Sequence, residues 1–348
     1  MIDGRQLCGE TGGVQRFIRE ILQELDQISP PDKYEILVPP DAEDLPAYKN
    51  LAIRRYGALK GLVWEQICLP WYLLTRRRFG VFPCTIVPML YPHGLAILHD
   101  VMIAKLPELR QSIESPFARW MLLLNYRIAA KRASVLATVS EFSKQDIAEL
   151  YHVPKDRIYV IGNAWQHIRR VGTDESWREA YPQLKDGEYY FSLSANRKQK
   201  NFKWILETAK RNPDRYFAIA GCQEEWQKNV EFDAPNILHL GYISDEMIRS
   251  LIEHCRAFLF PSFYEGFGIP PMEALALGAK IVIARASCLP ELYRDSAYYV
   301  DPFDYNVDLD KLLVQEVEPA SKVLERFGWD ISARKMDRIC TEMAGIQE

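Results

Sequence analysis

At 348 residues the chain is too long for one ordinary core and fits two domains of roughly 150 residues each. Its hydrophobic content of 48%, charged content of 26% and 21 prolines exclude a disordered or fibrous protein. A formal net charge of −4 argues against a whole-protein binder of nucleic acid, which carries a basic excess; the first half is mildly basic and the second acidic.

The opening Met1-Ile2-Asp3 reads as the tail of a buried strand whose earlier residues are missing. Gly9, Gly12 and Gly13 then make a loop, and Val14, Phe17, Ile18, Ile21, Leu22 and Leu25 follow at helical spacing. Glu35–Val38, Gly94–Leu98, Val135–Val139 and Ile158–Ile161 read as short buried strands, with Ser143 as N-cap of a helix Lys144–Leu150. From Asn163 to Glu188 the pattern loosens into polar residues with Gly172 and Pro182, marking the passage between domains.

Alternation then resumes. Strands are expected at Tyr189–Leu193, Tyr216–Ala220, Ile237–Leu240, Ala257–Phe260 and Ile281–Ala284, and helices at Phe202–Arg211, Asp245–His254 and Pro271–Leu277. Alternating elements with near-continuous apolar strands imply an α/β protein: two Rossmann-like domains with parallel sheets, facing a cleft beyond the strand ends.

Seven cysteines are scattered without a CxxC pair, which suits a reducing compartment. No charged-then-apolar leader opens the chain, and the most apolar stretch, Leu62 to Leu74, is broken by Glu65, Gln66 and Pro70. The expected location is cytoplasmic.

The informative segment runs from Phe258 to Glu291. A strand ends at Phe260, a loop carries Glu265, Gly266, Phe267 and Gly268, and Pro271 sits where the first turn of a helix tolerates proline. Glu273 follows eight positions after Glu265. The loop glycines let backbone N–H groups approach a ligand, and the helix start favours an anionic group. The two carboxylates would face one ligand at two depths and accept hydrogen bonds from sugar or ribose hydroxyls. Singly, each glutamate also fits a solvated surface position; the combination with the loop, the proline pair and Ser287 and Pro290-Glu291 points to a site.

This segment resembles the signature of glycosyltransferase family 4, retaining enzymes of the two-domain GT-B fold with two glutamates separated by seven residues. Gly12-Gly13-Val14, Trp64-Glu65-Gln66 with Leu69-Pro70, Leu98-His99-Asp100, Thr138–Ser143 and Phe327-Gly328-Trp329 also match in place and character. The resemblance implies that Glu265 contacts the transferred sugar and Glu273 the ribose of the nucleotide. It puts Lys200, with Arg197 close by, on the donor diphosphate beside the backbone of Gly12, Gly13, Gly266, Phe267 and Gly268. His99 would line the reacting sugar, with Asp100 orienting its ring. A solvated basic turn at Lys200 and a core or capping role for His99 are the ordinary alternatives.

The domains implied are 1–163 on the acceptor side and 164–325 on the donor side, with 326–348 a C-terminal helix packing back on the first. No cofactor and no metal are expected, since HExxH and paired CxxC are absent and the nucleotide-sugar is a substrate. Expected partners are the nucleotide-sugar donor and a saccharide or lipid-linked saccharide acceptor, with no nucleic acid. Arg76-Arg77-Arg78 after Trp64, Trp71 and Tyr72, with Arg110, Arg119, Arg127, Lys131 and Arg132, would suit an anionic membrane surface. A GT-B-fold nucleotide-sugar epimerase and a non-catalytic nucleotide-sugar-binding subunit remain as alternatives.

Overall fold

A computed structural model of the chain describes residues 1–8, 12–113, 115–193, 198–221 and 234–345. They divide into two units, Met1–Asn163 with Trp329–Glu348, and Ala164–Gly328.

The first unit is built on a seven-stranded sheet: β1 (Ile2–Asp3), β2 (Glu35–Val38), β3 (Ala52–Arg55), β4 (Gly80–Phe82), β5 (Gly94–Ile97), β6 (Val135–Thr138) and β7 (Ile158–Val160), in the order β3-β2-β1-β4-β5-β6-β7. The second has six: β8 (Tyr189–Leu193), β9 (Tyr216–Ala220), β10 (Ile237–Gly241), β11 (Ala257–Phe260), β12 (Ile281–Ala284) and β13 (Tyr298–Val300), in the order β10-β9-β8-β11-β12-β13. Every pairing is parallel. Parallel strands are covered on both faces, which is why their sequences read as apolar runs: Leu95, Ala96 and Ile97, or Phe258, Leu259 and Phe260, are all buried.

Strand order reverses between β1 and β4 in one sheet and between β8 and β11 in the other. On either side of such a point the connections leave in opposite directions, and a crevice opens at the carboxyl ends of the strands.

Three strands escape the sequence pattern. β4 and β13 are three residues long, and β3 is an edge strand with three exposed positions, so it has neither an apolar run nor alternation. The helix cap near Ser143 is also displaced. Ser140 is the N-cap of the helix Glu141–Tyr151, and its Oγ accepts from Ser143 N at 3.1 Å, so Ser143 lies inside the first turn.

The interrupted apolar stretch is one helix, Gly61–Thr75, with Pro70 inside it. Trp64, Leu69, Tyr72 and Leu73 are buried, whereas Val63, Ile67, Trp71 and Leu74 are exposed. No helix among the described residues is long and apolar enough to cross a membrane.

Residues after Asn163 are not a loose passage. They form a short 3-10 helix, Gln166–Arg170, and a helical turn, Trp177–Ala180, anchored by buried Ile168, Trp177 and Leu184. Trp177 Nε1 donates to Ser250 Oγ at 2.8 Å. Widely spaced aromatic and aliphatic anchors in a polar context carry no periodicity, so the sequence pattern misses them.

The helix Trp329–Gly345 begins at Trp329, later than position 326, and packs against Gly13–Ile28. Phe17 meets Trp329 edge-on at 6.1 Å, Ser332 Oγ donates to Ile161 O at 3.0 Å, and Tyr34 OH donates to Asp337 at 2.8 Å.

Candidate functional site

In the second unit the crevice beside β8 and β11 is built by three carboxyl-end loops. The short 3-10 turn Lys198–Lys200 lies in the loop after β8 and is tied to the loop after β11, where Phe263 N donates to Gln199 O at 2.8 Å. Asn201 closes the turn in the left-handed region, at φ 54°, and its Nδ2 donates to Pro261 O (3.1 Å) and Pro302 O (2.8 Å). Asparagine is one of the few residues that tolerates this conformation.

With the turn fixed, Lys200 Nζ donates to Glu265 Oε1 at 2.8 Å and stands 4.5 Å from the centroid of the Phe260 ring. The two side chains retain 18% and 16% of their exposure, so both charges remain within reach of a ligand. Glu265 is positioned from a third loop as well: its backbone N donates to Ser287 Oγ at 3.1 Å.

Gly268 caps the helix Ile269–Ala276 with φ 81°, and a Cβ there would stand 3.0 Å from Leu289 Cδ2. Its carbonyl accepts from Tyr293 OH at 2.7 Å. Pro270 and Pro271 follow Ile269, so only Ile269 among the first three helical positions has an N–H. Backbone donors for an anion are therefore confined to Gly266–Ile269.

Phe267 is expected to act through its backbone, and its side chain is engaged elsewhere. Its ring is 3% exposed and packs edge-on against Phe327 at 5.3 Å, so it is core, and only its backbone can serve a ligand. The glutamates differ in setting too. Glu265 is partly open and paired with Lys200, while Glu273 is buried in its helix with Oε1 2.5 Å from His167 Nε2. His167 is itself buried and carries no motif that reading the chain would find. Arg197 lies outside the described residues.

The first unit carries the remaining expected residues at the ends of β1 and β5. Gly12 is N-cap of the helix Gly13–Ile28, its carbonyl accepting from Arg16 N at 2.9 Å. A Cβ on Gly12 would meet only Gln15 Oε1, the far end of a flexible side chain, at 2.9 Å, and one on Gly13 meets nothing within 4 Å, so sterics alone require glycine at neither position.

His99 Nε2 donates to Pro83 O at 2.9 Å, and the ring meets Phe17 edge-on at 4.7 Å. Burial lowers its pKa, and the carbonyl bond fixes the proton of the neutral ring on Nε2, leaving Nδ1 as the acceptor. Pro83 is thus one group that orients the ring, and Asp100 Oδ1 accepts from Met102 N at 2.9 Å.

A buried acid pair sits at the end of β1. Glu65 is fully buried, with Oε2 accepting from Arg5 Nε at 2.8 Å, and Asp3 Oδ1 accepts from Arg5 N at 3.0 Å. Burial raises the pKa of Asp3, and burial with the neighbouring Asp3 charge raises that of Glu65 well above the carboxylate range. Trp64-Glu65-Gln66 was legible as a feature, but Glu65's inward aim needed the helix. Among the described residues no group of three or more His, Cys, Asp or Glu could hold a metal ion.

Residues 173–322, a little under half of the chain, match the family described as "Glycosyl transferases group 1". The chain is 28% identical over 235 residues to O-antigen chain mannosyltransferase B of Escherichia coli, a match covering 61% of this chain and 59% of that protein. It is 26% identical over 259 residues to O-antigen chain mannosyltransferase RfbU of Salmonella typhimurium, covering 71% of this chain and 68% of that protein. Among solved structures, sucrose-phosphate synthase from Thermosynechococcus elongatus superposes with a TM-score of 0.69 at 13% identity, covering 99% and 98% of the two chains. HepE of Anabaena, in complex with UDP and glucose, gives 0.68 at 15% identity, covering 98% of each. At these identities the structural likeness shows the fold: two parallel-sheet α/β units of the GT-B architecture.

Proposed function

We propose that this chain is a retaining glycosyltransferase of family 4. It moves a hexose from a nucleotide-sugar donor to a saccharide or lipid-linked saccharide acceptor in the assembly of a cell-surface polysaccharide. The observation that carries the reading is the Lys200–Glu265 pair at the switch point of the second sheet, inside the segment matching the glycosyl transferases. The names of the relatives favour mannose as the hexose.

The residues divide the work by charge. Lys200, with the backbone N–H groups of Gly266–Ile269, stabilises the negative charge that grows on the departing diphosphate, where fixed donors lower the barrier most. Glu265 leaves Lys200 far enough to accept from a hydroxyl of the transferred sugar, and Glu273 accepts from the ribose. Neutral His99 offers an acceptor nitrogen to the reacting sugar. In a front-face reaction the acceptor hydroxyl attacks on the side from which the diphosphate leaves, and a phosphate oxygen takes its proton, which gives retention without a protein base or a metal.

The acceptor side faces an anionic lipid surface in this reading, with the enzyme peripheral on the inner face of the plasma membrane. Val63, Ile67, Trp71 and Leu74 fall on one side of the helix Gly61–Thr75 and are 54–61% exposed. Exposed Arg76, Arg77 and Arg78 follow directly, joining an apolar stripe to a cationic end.

The test is a thermal-shift panel of GDP-, UDP-, dTDP- and ADP-sugars on wild type and Glu273→Ala, followed by product analysis with and without a saccharide acceptor. One nucleotide class should raise the melting temperature and the variant should lose the shift. A changed sugar stereochemistry without acceptor would instead identify an epimerase, and binding without any turnover a non-catalytic subunit.

A further inference from the structure

Glu273 is a carboxylate kept almost wholly inside the protein, where an ionised group is costly unless its lone pairs are engaged. His167 Nε2 lies 2.5 Å from its Oε1. A carboxylate oxygen accepts, so the imidazole donates and its proton is fixed on Nε2.

What distinguishes this histidine from a core filler is how its element is held. The 3-10 helix Gln166–Arg170 is clamped at its N-terminal end: Trp165 Nε1 donates to Leu324 O at 3.1 Å and Gln166 Nε2 to Phe327 O at 3.0 Å. Arg169 reaches back to the helix that carries Glu273, donating to Ala276 O at 3.3 Å, and its guanidinium stacks 4.6 Å from the Trp165 ring. A cation at that helix end also suits the dipole. The imidazole is therefore presented by a backbone bolted to the same helix one turn away, and the adjoining Ile168 already supplies apolar packing.

We propose that His167 is a positioning residue for donor recognition: it holds the Glu273 carboxylate in the one orientation from which ribose hydroxyls are read. The inference rests on the assignment of Glu273 to the ribose. A glutamate has three rotatable side-chain bonds, and a group pre-set in one rotamer binds without losing that freedom again. Each carboxylate oxygen has two lone pairs, so the bond from His167 leaves Glu273 acceptor capacity for hydroxyl donors.

The experiment measures calorimetric affinity for UDP, GDP and ADP, each beside its 2′-deoxy counterpart, on wild type, Glu273→Gln, His167→Ala, His167→Asn and His167→Gln. For the base that binds, wild type should prefer the ribonucleotide by about tenfold or more, the size of one hydrogen bond to a charged group. His167→Ala and His167→Asn, which cannot reach Glu273, should bring that ratio to within about twofold, while His167→Gln, with an N–H at similar reach, keeps most of it. Histidine that only fills space would weaken both nucleotides equally and leave the ratio intact, which overturns the proposal. His167→Asn carries the comparison if the alanine variant does not fold. A Glu273→Gln variant that keeps full ribose preference would overturn the assignment of Glu273 itself, a separate failure.

Discussion

Lys200 and Glu265, 65 positions apart in the chain, meet at 2.8 Å because β8 and β11 are neighbours and their following loops leave in opposite directions. The pair gives each charge a partner while both stay partly open, so each variant has a catalytic and a smaller structural consequence. Glu265→Gln should lower kcat by about a hundredfold with little change in donor KM, and Lys200→Met should lower kcat and raise donor KM together. Steady-state kinetics against donor separates the two. Because the pair is partly solvated, the coupling in a double-mutant cycle of stability should be no more than about 1 kcal/mol.

Phe267 gives the opposite pattern. Its ring is locked against Phe327 in the core, so Phe267→Ala should destabilise the second unit by about 3–5 kcal/mol, read by thermal denaturation. Phe267→Leu, which keeps most of the volume, should recover the larger part. Donor affinity of the folded protein should hardly change; a large affinity loss at unchanged stability would put the ring in the site.

Gly268 tests the backbone. At φ 81° with Leu289 3.0 Å from the place of a Cβ, alanine meets both strain and contact. Gly268→Ala should cost about 1–3 kcal/mol and weaken donor binding through the displaced N–H groups of the cap. Gly13→Ala should cost far less, since nothing lies within 4 Å of its Cβ position.

The Asp3–Glu65 pair sets a pH dependence of stability. Both folded pKa values are raised by burial, so the folded state holds protons that the unfolded state releases above its ordinary values of 3.8 and 4.5. Their contribution is therefore full below those values and is lost as pH rises through the folded ones. His99 has the contrary sign: its lowered pKa means that stability is lost as pH falls below 6.5. Glu65→Gln should flatten the alkaline-going loss and leave the His99 limb in place, as followed by urea midpoints from pH 4 to 8.

The exposed stripe of the helix Gly61–Thr75 makes a prediction on lipid. Wild type should float with vesicles containing anionic lipid, less so as salt rises, and Ile67→Ser with Trp71→Ser should abolish flotation. Replacing Arg76, Arg77 and Arg78 by glutamine should remove the dependence on lipid charge. Concentration-dependent self-association abolished by the same serine substitutions, without lipid binding, would give the stripe to a second copy instead.

Much of the architecture was legible because parallel strands are buried on both faces and announce themselves as apolar runs. Tyr189–Leu193, Tyr216–Ala220, Ala257–Phe260 and Ile281–Ala284 needed no more than that. β3 was hidden by Arg54 and Arg55 at the sheet edge. Candidate residues were legible where local spacing mattered, as for Glu265 before a helix start. The partners were not: His167 and Glu273 are 106 positions apart, and Pro83 orients His99 through a backbone carbonyl that any residue would supply. The direction of the Phe267 ring was not legible either, since a ring beside a ligand loop can point either way and only packing decides.

The return of Trp329–Gly345 to the first unit has a consequence for synthesis on the ribosome. The sheet from β1 to β7 emerges first but lacks its closing helix until all of Ala164–Gly328 has been translated, on the order of ten to thirty seconds at ordinary elongation rates. The later half, continuous in the chain, can finish folding before the earlier one. During that interval the apolar flank of Gly13–Ile28 awaits the last helix, whose Trp329 meets Phe17, which makes the first-made half the natural client of a chaperone.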